Sequence, residues 1–208
     1  MFDFDVTEFS QSTSCHHLGS SGDRDIRIAG VVLYSGDPPK ALIAKLVDLA
    51  LESGKIYDGE GFKYIQESFD TGTLHLIGLL SDGGVHSRLD QLKLFLEGAT
   101  EHGAKRIRVH VLTDGRDVLD GTSVGFVETL ENFLAKLREK GIDARIASGG
   151  GRMFVTMDRY ENHWNVVKRG WDAQVLGEAR HKFKNAVEAV TKLQELPDTN
   201  DQNLLGLP

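Results

Sequence analysis

From about residue 41 onward the apolar positions alternate between continuous runs and helical stripes. Ala41–Leu51 sets Leu42, Leu46 and Leu49 on one side of a predicted helix. Leu74–Leu80 (LHLIGLL) is an unbroken apolar run, the pattern of a strand buried on both faces. Ser87 then stands as an N-cap, and Asp90 three residues on completes an approximate capping box. The helix it opens carries Leu89, Leu92, Phe95, Leu96 and Ala99 on one face. Ile107–Leu112 (IRVHVL) predicts a second strand. Val127, Leu130, Phe133, Leu134 and Leu137 stripe another helix, which Gly141 stops. Ala144–Ala147 predicts a third strand, followed by three glycines. Trp164, Val167 and Trp171 mark one further helix, with the tryptophans read as core residues, and Ala186, Val190 and Leu193 mark the last.

Strand–helix–strand–helix–strand implies right-handed crossovers and a parallel sheet. The expected fold is therefore α/β, a parallel sheet with helices on both faces in three layers. Residues 1–40 differ in texture: they are polar and Ser-rich, without helical periodicity, and read as flexible. Within them Ile26–Tyr34 (IRIAGVVLY) is a strand candidate that SGDPP halts. The tail from residue 197 shows no periodicity and also reads as flexible, leaving residues 41–196 as the expected folded domain.

Composition narrows the chemistry. The 208 residues carry a net charge of −7, which argues against a general nucleic-acid binder, since that needs a basic face. Cys15 is the lone cysteine, so no intrachain disulfide and no CxxC knuckle can form. No apolar run approaches a membrane span, and the first Lys or Arg is Arg24, so no basic signal head is present. The expectation is a cytoplasmic protein that binds neither nucleic acid nor membrane.

The three predicted strands end in SDGGVHSR, TDGRD and SGGGR. Ligands of an open parallel sheet bind outside these carboxyl ends. His86 and Arg88 come from the first end, Arg116 and Asp117 from the second, and Arg152 from the third. Were 153–160 helical, Arg159 would share a face with Arg152, about 10.5 Å along the axis. Glycines let a backbone approach an anion closely, and guanidinium groups fork onto carboxylate or phosphate oxygens. Asp117 would orient an arginine or accept a bond from a substrate hydroxyl. Taken singly, each feature has an ordinary reading: His86 as a surface or capping residue, DGRD as a self-paired charged loop, GGG as a tight turn. Asp82 and Asp114, placed in Gly turns, read as local caps. Cys15-His16-His17 lacks partner ligands, and HExxH, Walker A, GxGxxG and GxSxG patterns are absent. The coincidence of three strand ends points to a small phosphorylated or carboxylated metabolite.

LSDGGVHSR, VLTDGRD, ASGGGRM and MDRY, in this order, resemble the transferase domain of cofactor-independent phosphoglycerate mutases of the plant type. KLVDLALESGKIYDGEGFKYI and KRGWDAQVLGEA extend the likeness over roughly Lys45 to Gln202. The resemblance implies that His86, Arg116, Asp117, Arg152 and Arg159 bind 2- or 3-phosphoglycerate, the strand-end set without Arg88. It implies a glycolytic isomerase, usually monomeric, in which this domain holds glycerate. It also implies a phosphatase-like domain, in two halves flanking this one, that supplies a nucleophilic serine and two manganese ions. Neither half is recognisable in this chain, so no catalytic or manganese-binding residue is assigned to it. The chain is expected to be truncated at both ends. Three readings stay open: the glycerate-holding part of a mutase, a non-catalytic anion-binding fragment or partner of full-length mutase, and an inert folded fragment.

Overall fold

The computed structural model of the protein describes residues 40–158 and 161–206. The candidate strand at Ile26–Tyr34, the Cys15-His16-His17 cluster and Arg159 lie outside the described residues.

The fold is α/β. Among the described residues there are three strands and six α-helices. Helix α1 spans Lys40–Glu52, and a 3-10 turn at Lys55–Asp58 leads into α2 (Glu60–Gln66). Strand β1 (Leu74–Leu80), α3 (Leu89–Glu101), β2 (Arg106–Thr113), α4 (Ser123–Glu139) and β3 (Asp143–Gly151) follow in alternation. Then come α5 (Trp164–Trp171), a π-helical turn (Asp172–Leu176), α6 (Ala186–Gln194) and a 3-10 turn at Asp201–Asn203. The strands pair in parallel in the order β1-β2-β3, with Leu80 level with Thr113 and Thr113 level with Gly151. Crossovers of one hand between successive neighbours put their helices on one face, and α3 and α4 do pack against each other.

That face holds the main core. Leu96 and Ala99 of α3 and Val127, Leu130, Leu134 and Leu137 of α4 close over Leu74, Ile107, Val109, Val111 and Ala144. Leu112, one residue beyond Val111, points the other way, as strand geometry requires. It is buried outside that cluster, as are Val155, Val166 and Ala173, and the π-helical turn packs against β3. Both faces of the sheet are thus used, the second mainly on the β3 side.

This uneven cover departs from the sequence pattern in several places. Ile77, in the run expected to be buried on both faces, is 43% exposed, because β1 is an edge strand among the described residues. Trp164 and Trp171, expected in the core, are 61% and 43% exposed; α5 buries Val166 and Gly170 instead, a different stripe of the same helix. Leu49 faces outward and Leu51 inward. Ser87 does not cap α3: its hydroxyl donates to Leu79 O, and the Leu89 N–H is taken by Asp82 Oδ1 at 3.1 Å. The three glycines after Ala147 make no turn but continue β3 to Gly151.

The last of those glycines explains the tail. A Cβ on Gly151 would lie 2.4 Å from the Gln202 carbonyl carbon, so only glycine admits the chain returning there. Residues 201–206 are therefore docked, where a flexible segment was expected. Gly151 N–H donates to Leu204 O and Met153 N–H to Gln202 O, and Leu204 joins the core. Asp201, fully buried, accepts from Ser123 N–H at 2.9 Å and from Gln194 Nε2 at 2.5 Å. Its backbone O accepts from Thr113 Oγ1 at 2.6 Å, and its N–H donates to Asp120 Oδ1 at 2.7 Å. The carboxylate caps the N-terminus of α4, where negative charge is favoured.

Across the sheet, His75 Nδ1 lies 2.9 Å from His110 Nε2, and His110 Nδ1 lies 2.6 Å from Ser148 Oγ. The chain of contacts spans all three strands. Burial first, and then His75, push His110 down to about 4; burial and Arg108 lower His75 as well.

Two outcomes are expected. The Asp201→Ala variant should lose about 2–4 kcal/mol in urea unfolding, because it strands donors from two elements. A loss below about 0.5 kcal/mol would show that the tail is not held there. His110 is neutral when folded and binds protons more readily when unfolded, so its stabilisation is present above about pH 6.5 and shrinks as pH falls toward 4. Wild type should therefore lose on the order of 1–2 kcal/mol more than His110→Asn between pH 7 and pH 5. Parallel pH curves for the two proteins would rule His110 out as the source.

Candidate functional site

The carboxyl ends of the three strands lie side by side, and the loops that follow them meet. Gly83, after β1, abuts the second loop so closely that a Cβ there would sit 2.7 Å from Asp117 Cβ and 2.8 Å from Asp117 O. His86 is exposed, with Nε2 3.9 Å from Asp117 Oδ2. The same Asp117 oxygen accepts from Arg152 Nη1 at 2.9 Å, which joins the third strand end to the other two. Arg152 is almost wholly buried, and its Nη1 also donates to Asp114 Oδ1 at 2.8 Å.

Asp114 closes the network from below. It is fully buried, its Oδ2 accepts from Ser81 Oγ at 2.6 Å, and its Oδ1 accepts the Arg116 and Asp117 N–H groups, each at 3.2 Å. Burial pushes its carboxyl up, but the bonds from Ser81, Arg152, Asp117 N–H and Arg116 N–H outweigh it, and the group is held below the usual carboxylate range. Arg152 is the mirror case. Burial pulls it down, while the bonds it donates to Asp117 and Asp114 prevail and hold it above the ordinary guanidinium value.

The residues singled out in the sequence fare differently. His86, Asp117 and Arg152 are brought together. Arg116 adjoins Asp117 with its side chain exposed. Arg88 points elsewhere: it donates to Asp48 Oδ2 at 2.9 Å and pairs with Asp90, tying α3 to α1. Residues 152–156 form turns and 157–158 have no regular structure, where a helix over 153–160 was considered; Arg159 itself lies outside the described residues. Asp82 and Asp114 do act as local caps, but Asp114 also holds Arg152, which the sequence did not disclose. Its only signal was an aspartate at a strand end, and burial is not visible in sequence. A cavity of about 500 Å³ between the starts of α3 and α4 touches Asp82 and Arg88 but none of His86, Arg116, Asp117 or Arg152. The strand-end cluster is an open rim.

Chemically, the rim offers an imidazole, an exposed guanidinium and a carboxylate bound to a buried guanidinium, a set suited to oxyanions and hydroxyls. Among the described residues, no three His, Cys, Asp or Glu side chains are placed to hold a metal ion. Manganese, implied by the resemblance, has no three-ligand holder there. Among the same residues, no helix is long and apolar enough to cross a membrane.

The family model described as BPG-independent PGAM N-terminus matches residues 47–206. The chain belongs to the BPG-independent phosphoglycerate mutase family. It is 81% identical over 161 residues to a 2,3-bisphosphoglycerate-independent phosphoglycerate mutase of Ricinus communis, covering 77% of this chain and 29% of that protein. Its counterpart in Trypanosoma brucei brucei is 64% identical over 73% of this chain and 28% of that protein. A crystal structure of Leishmania mexicana phosphoglycerate mutase at low cobalt concentration superposes with a TM-score of 0.76 and 57% identity. It covers 79% of this chain and 30% of that one. The chain therefore spans less than a third of the length of these phosphoglycerate mutases.

Proposed function

We propose that this chain supplies the glycerate-holding domain of a phosphoglycerate mutase, which interconverts 3-phosphoglycerate and 2-phosphoglycerate in glycolysis. The reading rests on family membership together with one observation: His86, Asp117 and Arg152, from three separate strand ends, meet at one rim. In it, His86, Arg116, Asp117, Arg152 and Arg159 bind the substrate, and residues 41–196 with the docked turn at 201–206 form the domain. Arg116, exposed beside Asp117, is the side chain free to fork onto a carboxylate or phosphate. Asp117, already shared between His86 and Arg152, accepts a bond from a glycerate hydroxyl and so fixes its orientation. Manganese and the nucleophile that takes the phosphoryl group would belong to the rest of a complete mutase, in a cytoplasmic, usually monomeric enzyme.

A second reading rests on the same rim: exposed His86 and Arg116 beside an Asp117 paired with Arg152 would serve equally in a non-catalytic anion-binding fragment or a partner of full-length mutase. Holding substrate and transition state equally well does not accelerate chemistry.

A titration of 3-phosphoglycerate and a manganese-supplemented mutase assay separate these readings. The chain alone is expected to bind saturably and to show no turnover above blank, because phosphoryl transfer needs a nucleophile and charge neutralisation. Turnover that survives removal of host mutase would overturn this, and absence of binding would remove the site. Arg116→Ala should weaken binding by about 1.5–3 kcal/mol, the range for bonds to charged groups. Arg116→Lys should restore only part of it, since an ammonium lacks the planar fork. Unchanged affinity in Arg116→Ala would take Arg116 out of the site.

A further inference from the structure

We propose that Asp114 is a positioning residue of this site: its buried carboxylate, clamped by Ser81 and the turn backbone, sets where the Arg152 guanidinium lies. The inference rests on the reading of the rim as a phosphoglycerate site and adds a residue that does not touch the ligand.

Arg152 enters from β3 and is held at one end. Its Nη1 meets Asp114 at 2.8 Å and Asp117 at 2.9 Å, while its buried Nε has no hydrogen-bond partner. The place of the guanidinium is therefore decided at Nη1, by two carboxylates. They are not equivalent. Asp117 stands at the rim, with 12% of its side chain exposed and His86 beside it, so an arriving hydroxyl can share it. Asp114 has no exposure at all, and no ligand reaches it. It is also the more tightly fixed: Ser81 Oγ donates to it from the end of β1, and two successive N–H groups donate from its own turn. A buried carboxylate with four donors, drawn from all three strand ends, is a rigid reference point against which Arg152 is placed. Ser81 hydroxyl in turn accepts the Gly83 N–H at 3.1 Å, so the same serine sets the loop that carries His86.

Field and position predict opposite signs. If Asp114 acted only as a nearby negative charge, removing that charge would tighten an anion. If it holds Arg152 in place, removing it loosens the site although the site becomes more positive.

The test uses the full chain and 3-phosphoglycerate, followed by calorimetry, with the Arg152 Nε–H resonance followed by NMR. Asp114→Asn is expected to weaken binding about tenfold or more, the scale of a lost charge-assisted bond. Ser81→Ala is expected to weaken it about threefold, the scale of a neutral bond. In an Arg152→Met background, Asp114→Asn should add less than about twofold, because its effect runs through the arginine. A general loss of fold would instead add its full effect there. Equal or tighter binding by Asp114→Asn, or an undiminished loss in the Arg152→Met background, overturns the proposal. The Arg152 Nε–H signal decides the point without ligand: it should shift and exchange faster in Asp114→Asn, and an unchanged signal overturns the proposal. Should that variant not fold, the same signal in Ser81→Ala, which keeps the charge pair, must shift, and constancy there overturns it. Failure of the wild type to bind 3-phosphoglycerate would sink the functional reading alone, with the Arg152 signal still deciding where the arginine is held from.

Discussion

A carboxylate without solvent exposure is stable only when cations and donors surround it, because transfer of an isolated charge out of water costs far more than a domain can spare. Asp114 meets that requirement at the end of the central strand. Its donors come from the end of β1 (Ser81), from its own turn, and from the end of β3 (Arg152). Satisfying one buried charge thus ties three loops that are separated in sequence by more than thirty residues. Gly83, pressed against Asp117, and Arg152, shared by two aspartates, are consequences of the same demand.

The parallel sheet makes this possible. Parallel pairing brings all strand ends of one polarity to one edge, so loops following β1, β2 and β3 have no other place to be. The returning tail then braces that edge from behind. Asp201 caps α4, receives Thr113, and bonds to Asp120 in the loop that carries Arg116 and Asp117. The rim is held from one side by Asp114, which reads in sequence as a local cap, and from the other by Asp201, which lies in a tail that reads as flexible; both carboxylates are buried.

The chemistry of such an arrangement, guanidinium groups and an imidazole around a fixed carboxylate, is suited to oxyanions. Preformed donors lower the free energy of a bound oxyanion, whereas acceleration requires interactions that appear only in the transition state. The family's relatives are more than three times longer than the stretch matched here. The exposed Trp164 and Trp171 show that helical spacing alone does not say which stripe of a helix is packed.

The class of fold was legible in the sequence because alternation of apolar runs and 3.6-residue stripes is a local property, and so were the main-core stripes of α3, α4 and α6. The meeting of His86, Asp117 and Arg152 was legible too, since parallel topology assigns every strand end to one edge. Other features were not. Ile77 lies bare although its strand reads as doubly buried, because cover depends on what packs beside an edge strand. The glycines 149–151 looked like a turn and proved to be strand, with Gly151 kept bare by the approach of Gln202 from fifty residues on. Asp114 and Asp201 each carry the letter of a turn residue, and only the fold decides that they are buried and what donates to them. Local pattern fixes secondary structure and the order of strand ends; burial, and with it the worth of a charge, is a property of distant chain segments brought together.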